Sequence, residues 1–109
     1  MATHRWTVEE ARAYLPRLRE LVALVQEAVQ TDDRTGQLRM RAGAEHAEAA
    51  LEELNERGVI LRQLAHGLVD LPSTGDDGEL RFLCWRVGEA ELSWWHRPDD
   101  GFAGRRPLA

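Results

Sequence analysis

The stretch LRFLCWRVGEAELSWWH, residues 80–96, decides the fold of this chain. It begins with residues 80–87, a run rich in apolar and aromatic side chains that predicts a β-strand. Gly88-Glu89 then starts a tight turn, and residues 91–96 return as a second strand. The stretch therefore predicts a β-hairpin, around which the rest of the chain is expected to pack.

Two shorter apolar runs precede this hairpin and predict further strands. Residues 59–61 are apolar and partly β-branched, and residues 68–71 follow a glycine. Residues 72–78 are rich in Pro, Ser, Gly and Asp, which is typical of a loop. Together with the hairpin, these runs predict a small antiparallel meander of three to four strands.

The N-terminal part of the chain has the pattern of a helix. Thr7 and Glu10 have the spacing of a capping box. Apolar residues then recur at intervals of three and four positions, as in a helix that packs along a partner: Val8, Ala11, Leu15, Leu18, Val22, Val25 and Val29. Pro16 interrupts this pattern, because proline lacks an N–H and disfavours helical angles at the residue before it. We therefore expect a short helix over about residues 7–14 and a long helix that starts near Pro16.

A polar break at residues 31–36 precedes a second long helix, which is expected to end near Arg57, just before Gly58. Its apolar face is predicted to contain Met40, Ala44, Ala47, Leu51 and Leu54, with the small residues Gly43 and Ala50 beside it. Two helices and a short break predict an antiparallel helical hairpin over about residues 7–57. The predicted class is α+β, in one domain, with this hairpin packed on the sheet and C-terminal tail of about residues 59–109.

Composition restricts the class of function. The chain has 109 residues and a formal net charge of −5, which argues against a nucleic-acid-binding protein, because such proteins present a basic surface. No apolar run approaches the roughly 20 residues that a membrane span requires. A single cysteine and an N-terminus without an apolar signal core indicate the cytoplasm. All 14 basic residues are Arg, a bias that we associate with a GC-rich bacterial genome. The wide apolar stripes of the helices also favour a homodimer.

The first candidate site is a metal site. Cys84, His96 and Asp70 supply a thiol, an imidazole and a carboxylate, which are the ligands of zinc and of other transition metals. Further donors are available at Glu89, Glu91 and His66. The alternative is structural, with Cys84 as a small buried apolar residue and His96 as a hydrogen-bonded histidine.

The length of the hairpin turn decides whether Cys84 and His96 can cooperate. With a two-residue turn, the two side chains lie on opposite faces of the sheet. With a three-residue turn over residues 88–90, Cys84 pairs with Trp94 and Phe82 pairs with His96. Both potential ligands then share one face as diagonal neighbours, at roughly 7–8 Å.

Asp70 offers a second candidate site. If Leu71 pairs with Leu80, Asp70 lies opposite Arg81, and the two form a cross-strand ion pair. In the alternative, the protein is a small-molecule enzyme in which Asp70 or His96 acts as a general acid or base and Arg105 orients an anionic substrate.

The third candidate is the tail. Arg105 and Arg106 follow a glycine-rich turn, where two adjacent guanidinium groups suit the bidentate binding of a phosphate or a carboxylate. Alternatively, one of these arginines fixes the C-terminus through Asp99 or Glu91, with Phe102 as an apolar plug.

The aromatic residues point to the same region. Trp94 and Trp95 are adjacent on a strand, so one of them lies on the face away from the helices. An indole there requires a cover: the tail, a dimer partner or a flat ligand. The expected ligand or partner surface contains Asp70, Trp85, Glu89, Trp95, His96, Phe102 and Arg105.

The chain also resembles a known family. Five segments carry the likeness: TVEEARAYLPRLREL (7–21), GLVDLP (67–72), LCWRVGE (83–89), WWH (94–96) and GFAGRRPL (101–108). In this order they are similar to the bacterial family catalogued as domain of unknown function 2203. The resemblance implies one intact domain and assigns no activity, so no catalytic residues follow from it. The sequence as a whole therefore predicts a dimeric binding protein with a site at the C-terminal sheet and tail. The alternative is a metal-binding protein or metal-dependent enzyme that uses Cys84 and His96 with a carboxylate.

Overall fold

The computed structural model describes residues 4–31, 38–40 and 45–108. The helices and strands in chain order are α1 (Val8–Ala28), β1 (Val29–Thr31), β2 (Leu38–Met40), α2 (Glu45–Glu56), β3 (Ile60–Gln63), β4 (Leu68–Thr74), β5 (Leu80–Arg86), β6 (Trp94–His96) and β7 (Arg106–Pro107). Strands β3 to β7 form one antiparallel sheet in chain order, and β1 pairs with β2 in a separate ribbon. The α+β class is confirmed, but the sheet has five strands rather than three to four.

Helix α1 is a single helix of 21 residues, so the predicted break at Pro16 was wrong. Thr7 and Glu10 form the predicted capping box, with hydrogen bonds of 3.0 Å in both directions. Pro16 is exposed, whereas Leu15 and Leu18 beside it are buried in the core. Because the buried apolar stripe continues on both sides of Pro16, packing outweighs the cost of about 3 kcal/mol of a proline inside a helix.

The segment after α1 is extended, not a simple break between helices. Val29, the C-cap of α1, has extended backbone angles, and β1 then pairs antiparallel with β2. Met40 is the last residue of β2, so its predicted place on a helix was wrong. The β-branched residues Val29 and Thr31 favour this extended conformation.

Helix α2 has 12 residues, which makes the helical hairpin shorter than predicted. It buries Ala47, Ala50 and Leu54, while Leu51 is exposed. Gly58 has a φ of 74°, a left-handed conformation that suits its predicted role after the helix end. The predicted polar residues 32–36 and the small residues Gly43 and Ala44 lie outside the described part of the chain.

Strand β4 extends through Pro72 to Thr74, where a loop was predicted. Proline is tolerated at this point because β3 pairs only with residues 68–70, so β4 is an edge strand at Pro72. The carbonyl of Pro72 accepts a hydrogen bond from the backbone of Trp6, which precedes α1. Strand β6, in contrast, is shorter than predicted and contains only Trp94–His96.

The helices cover one face of the sheet, which we call the helix side. Leu18 and Val22 of α1 pack in one apolar cluster with Val69, Leu71 and Leu83, and all five residues are 0 % exposed. Trp85 belongs to the same cluster. On the opposite face, which we call the tail side, Pro98, Gly101, Phe102 and Arg105 of the C-terminal segment lie next to side chains and backbone of β4, β5 and β6.

Candidate metal centre

The register of three strands places the predicted metal ligands together on the tail side. Asp70 in β4 lies opposite Cys84 in β5, and Cys84 lies opposite Trp94 in β6. Phe82 lies opposite His96, so His96 is a diagonal neighbour of Cys84 on the same face. This is the register that was expected from a three-residue turn, although a longer irregular segment connects β5 and β6.

The donor atoms of Asp70, Cys84 and His96 converge on one point. One ligand atom from each residue lies within 4.8 Å of the other two. The three residues are 2 %, 0 % and 3 % exposed. In a tetrahedral zinc site with bonds of about 2.0–2.3 Å, ligand atoms are separated by roughly 3.3–3.8 Å. To hold a zinc ion, Nε2 of His96 and Oδ1 of Asp70, now 2.9 Å apart, would have to separate slightly, and donor atoms at the 4.8 Å limit would have to move closer.

Hydrogen bonds fix the orientation of the imidazole. Nδ1 of His96 lies 2.8 Å from the carbonyl oxygen of Arg97, and Nε2 lies 2.9 Å from Oδ1 of Asp70. Since a carbonyl oxygen only accepts, Nδ1 carries a hydrogen and donates it. Oδ1 of Asp70 is also an acceptor, so the contact at Nε2 needs a hydrogen between the two atoms, and a metal ion bound at Nε2 would replace that hydrogen. A backbone carbonyl that holds one ring nitrogen in this way is typical of metal-bound histidines.

Asp70 is held from a second direction by Arg62. Nε of Arg62 donates a hydrogen bond of 2.9 Å to Oδ2 of Asp70. The guanidinium also stacks on Phe82, with its carbon 5.2 Å from the ring centroid. The two oxygens of Asp70 thus face different partners, and Oδ1 is the one turned toward His96.

The thiol of Cys84 is not prepared for nucleophilic chemistry. Burial raises its pKa to about 12, and the carboxylate of Asp70 adds to the increase, while Arg105 opposes it. A thiol with this pKa stays protonated near neutral pH, and only the thiolate attacks or binds a metal. Cys84 therefore becomes a strong ligand only when a bound cation displaces its proton.

Arg105 fixes the tail beside this cluster. Its two terminal nitrogens donate hydrogen bonds of 2.7 Å to the two oxygens of Glu89, and one of them also contacts the carbonyl oxygen of Cys84 at 3.2 Å. Its guanidinium lies over Trp94 and Phe102, at 5.2 and 4.6 Å from the ring centroids. Arg105 therefore has a structural partner, which is Glu89 and not the predicted Asp99 or Glu91.

Glu89 is prepared for this ion pair. Burial raises the pKa of the Glu89 carboxyl group. Hydrogen bonds from Arg105 and from the backbone of Arg86 lower this pKa by a larger amount, so it lies below its usual value. The backbone carbonyl of Glu89 also accepts a hydrogen bond of 3.0 Å from the indole of Trp85. Glu89 thus links the tail to the segment after β5. For Arg106, the other residue predicted to clamp an anion, a terminal guanidinium nitrogen lies 3.9 Å from a carboxylate oxygen of Asp100.

A cavity of about 360 Å³ opens next to the three donors. Arg62, Phe102, Pro98 and Gly101 line it together with Asp70, Cys84 and His96. Phe102 is 40 % exposed, so it borders the opening rather than filling it as a plug. The residues that carry the three donor atoms therefore form part of the cavity wall.

The predicted surface residues do not all lie at this cavity. Asp70, His96, Phe102 and Arg105 are on the tail side, whereas Trp85 and Trp95 pack against the helix-side core. Trp94 is the tryptophan on the tail side, and Arg105 covers it. The predicted pair of Asp70 and Arg81 was wrong, because Arg81 faces Ser73.

Arg62 is a functional candidate that the sequence did not reveal. The predicted strand ended at Leu61, and an irregularity between Leu61 and Gln63 shifts the register at Arg62. Ile60 lies opposite Asp70, so Arg62, two residues farther along β3, is on the same side of the sheet as a diagonal neighbour of Asp70. The only available signal was the closeness of the two residues in sequence.

The fold and this side-chain cluster define a small α+β domain with a candidate metal centre beneath its C-terminal tail. The chain belongs to the DUF2203 family of uncharacterized conserved proteins, whose model matches residues 26–108. This match confirms the resemblance seen in the sequence. No curated protein and no solved structure matches the chain. Within the described residues, no helix is long and apolar enough to cross a membrane.

Proposed function

We propose that this protein is a ligand-binding domain that holds a divalent transition metal ion, preferably zinc, between Asp70, Cys84 and His96. The convergence of three buried donor atoms within 4.8 Å carries this proposal. Structural zinc sites usually have four protein ligands, whereas sites with three protein ligands leave a position for water or another molecule. The adjacent cavity gives such a molecule access, so the proposed ion serves binding rather than folding alone.

The donor set favours zinc over the common hard cations. Mg²⁺ and Ca²⁺ prefer oxygen ligands, while a thiolate with an imidazole and one carboxylate suits zinc and its neighbours in the transition series. The surroundings support the same assignment. Arg97 orients His96 through its carbonyl, and Arg62 orients Asp70 through Nε. Partners of this kind hold metal ligands in place and tune their basicity.

Zinc titration of the metal-free protein tests the proposal. We expect one ion per chain by calorimetry and by native mass spectrometry, and a loss of binding in His96→Gln. The matched control is His66→Gln, since His66 is an exposed histidine outside the cluster. At a free zinc concentration 100 times Kd, the free energy of unfolding of the wild type should rise by about 2.7 kcal/mol. Equal zinc binding by the two variants would contradict the site.

Cobalt substitution identifies the sulfur ligand. Co²⁺ bound to a thiolate has a charge-transfer band in the near ultraviolet, and this band should be absent in Cys84→Ser. Because the pKa of Cys84 is raised to about 12, metal binding near neutral pH must displace the thiol proton. The affinity should therefore increase as the pH rises. An affinity for Co²⁺ that is independent of pH between 6 and 8 would argue against Cys84 as a ligand.

The homodimer and the bacterial cytoplasm stay predictions from the sequence. The native mass spectra that count metal ions also give the mass of the assembly. We expect twice the mass of the 12.4 kDa chain. A mass of one chain at micromolar concentration would exclude the dimer and leave the metal proposal intact.

A further inference from the structure

We propose that the cavity beside the metal centre takes a small monocarboxylate, held by the metal ion at one oxygen and by Arg62 at the other. This inference rests on the proposed metal site, because the ion supplies one of the two contacts. The candidate contact on the protein is the exposed part of the Arg62 guanidinium, which lines the same cavity as Asp70, Cys84 and His96.

Arg62 has donors to spare. Among the residues that the structure describes, it donates a hydrogen bond only from Nε, to Asp70, and its side chain is 44 % exposed. A guanidinium has five N–H groups, so its two terminal nitrogens retain four donors. Stacking on Phe82 restricts the plane of the group. Arg105 differs in this respect, because both of its terminal nitrogens already bind Glu89.

The arrangement suits a carboxylate in geometry. The donors of the metal centre are buried, while Arg62 is exposed, and the cavity of about 360 Å³ touches both. That volume is near the lower end for small-molecule pockets. A centre with three protein ligands has a fourth position that an oxygen ligand can occupy. The second oxygen of a carboxylate can then accept hydrogen bonds from a guanidinium.

The net charge of the site favours a ligand that carries a single negative charge. A divalent ion, the carboxylate of Asp70, the thiolate of Cys84 and the guanidinium of Arg62 leave one net positive charge. The nearby Arg105 and Glu89 cancel each other. A monocarboxylate therefore neutralises the site, whereas a phosphate, which carries more than one negative charge near neutral pH, exceeds what the site balances. The apolar ring of Phe102 at the opening suits an acid with an apolar body.

The test uses the full chain loaded with Co²⁺ and titrated with benzoate, acetate or inorganic phosphate. The thiolate charge-transfer band reports the metal, and the visible d–d bands report a change in the fourth ligand. We expect benzoate to shift the d–d bands at saturation, and to bind more tightly than phosphate. Arg62→Gln should retain the charge-transfer band and bind benzoate about 10- to 100-fold more weakly, since a charged hydrogen-bond donor is lost.

The matched control is Arg81→Gln, because Arg81 stacks on Trp95 of the helix side and does not line this cavity. This variant should bind benzoate like the wild type. Absence of the charge-transfer band in the wild type would overturn the proposed metal site and this inference with it. A normal band with d–d bands that no carboxylate shifts would overturn this inference alone. Tighter binding of phosphate than of benzoate would also overturn it.

Discussion

The two faces of the five-stranded sheet are buried by different means. On the helix side, α1 and α2 cover apolar residues such as Val69, Leu71 and Leu83. On the tail side, Pro98, Gly101 and Phe102 of an irregular segment line a cavity together with Asp70, Cys84 and His96. Both sets of sheet residues are almost completely inaccessible to solvent. Burial alone therefore does not distinguish the core of this protein from its candidate site.

The difference lies in how each face compensates for burial. Apolar side chains gain free energy on leaving water, at roughly 25 cal/mol per Å². Buried polar groups lose hydration and must recover it through hydrogen bonds. The tail side accordingly contains a connected set of polar contacts, from Arg62 through Asp70 to His96 and from Arg105 to Glu89. We therefore expect the helix side to supply most of the stability, whereas the tail side contains the candidate site.

Neighbouring residues of β5 give the most direct test of this division. Leu83 and Cys84 are both 0 % exposed, but they point to opposite faces. Leu83→Ala should lower the free energy of unfolding by about 3 kcal/mol, because it leaves a cavity in the apolar cluster. Cys84→Ala should cost about 1 kcal/mol in the metal-free protein, since it removes one small group. Urea denaturation measures both values.

The effects of these two substitutions on metal binding should have the opposite order, with the larger loss in Cys84→Ala. The Leu83→Ala variant, where it is folded, is expected to bind one zinc ion. The Cys84→Ala variant is expected to lose most of its affinity for zinc. Calorimetry on both variants, at a temperature where each is folded, supplies the comparison. Equal destabilisation of the metal-free protein by the two substitutions would show that the two faces contribute alike.

Local sequence patterns predicted much of the helix side. The capping box of Thr7 and Glu10 and the strand of residues 80–86 follow from short-range rules, and both are present. The continuous helix through Pro16 does not follow from such rules, because tertiary burial of the surrounding stripe outweighs the local preference. The β1–β2 ribbon was missed for a related reason. Val29 and Met40 fitted the helical spacing, but they lie in paired strands.

The candidate site was predictable in its chemistry and less so in its partners. Cys84, His96 and Asp70 stood out because few other residue types bind transition metals. Whether they meet depended on register, which the sequence left open between two turn lengths. Arg62 lies just beyond the predicted end of its strand, and Glu89 lies in the irregular segment between β5 and β6, which has no periodic pattern. The sequence therefore did not predict the contacts that irregular segments make at the candidate site.

The partly buried ion pair of the tail side should have a smaller effect on stability than the apolar core. The side chains of Arg105 and Glu89 are 11 % and 18 % exposed, and two hydrogen bonds of 2.7 Å connect them. We expect a coupling energy of about 2 kcal/mol in a double-mutant cycle of Arg105→Met and Glu89→Gln. Urea denaturation of the wild type, both single variants and the double variant provides the cycle. A coupling energy near zero would mean that the tail is held by Phe102 and its other apolar contacts.

The exposed ion pair between α1 and α2 provides the helix-side counterpart and the smallest expected effect. Arg17 donates hydrogen bonds of 3.1 and 2.8 Å to Glu53, and the hydroxyl of Tyr14 donates one of 2.7 Å. These bonds, from Arg17 first and then Tyr14, lower the pKa of Glu53 from 4.5 to about 2. Since solvent screens exposed pairs, we expect less coupling than for Arg105 and Glu89.

The sign of the pH dependence follows from the lowered pKa. A carboxyl group with a lower pKa in the folded state stabilises the protein above its usual pKa of 4.5, and this stabilisation is lost as the pH falls toward about 2. The stability difference between the wild type and Glu53→Gln should therefore be largest at pH 6–7 and decrease below about pH 4.5. Urea denaturation at several pH values measures it, with Glu52→Gln on the same helix as the control. A difference that does not change between pH 7 and pH 3 would show that Glu53 acts through its shape and not through its charge.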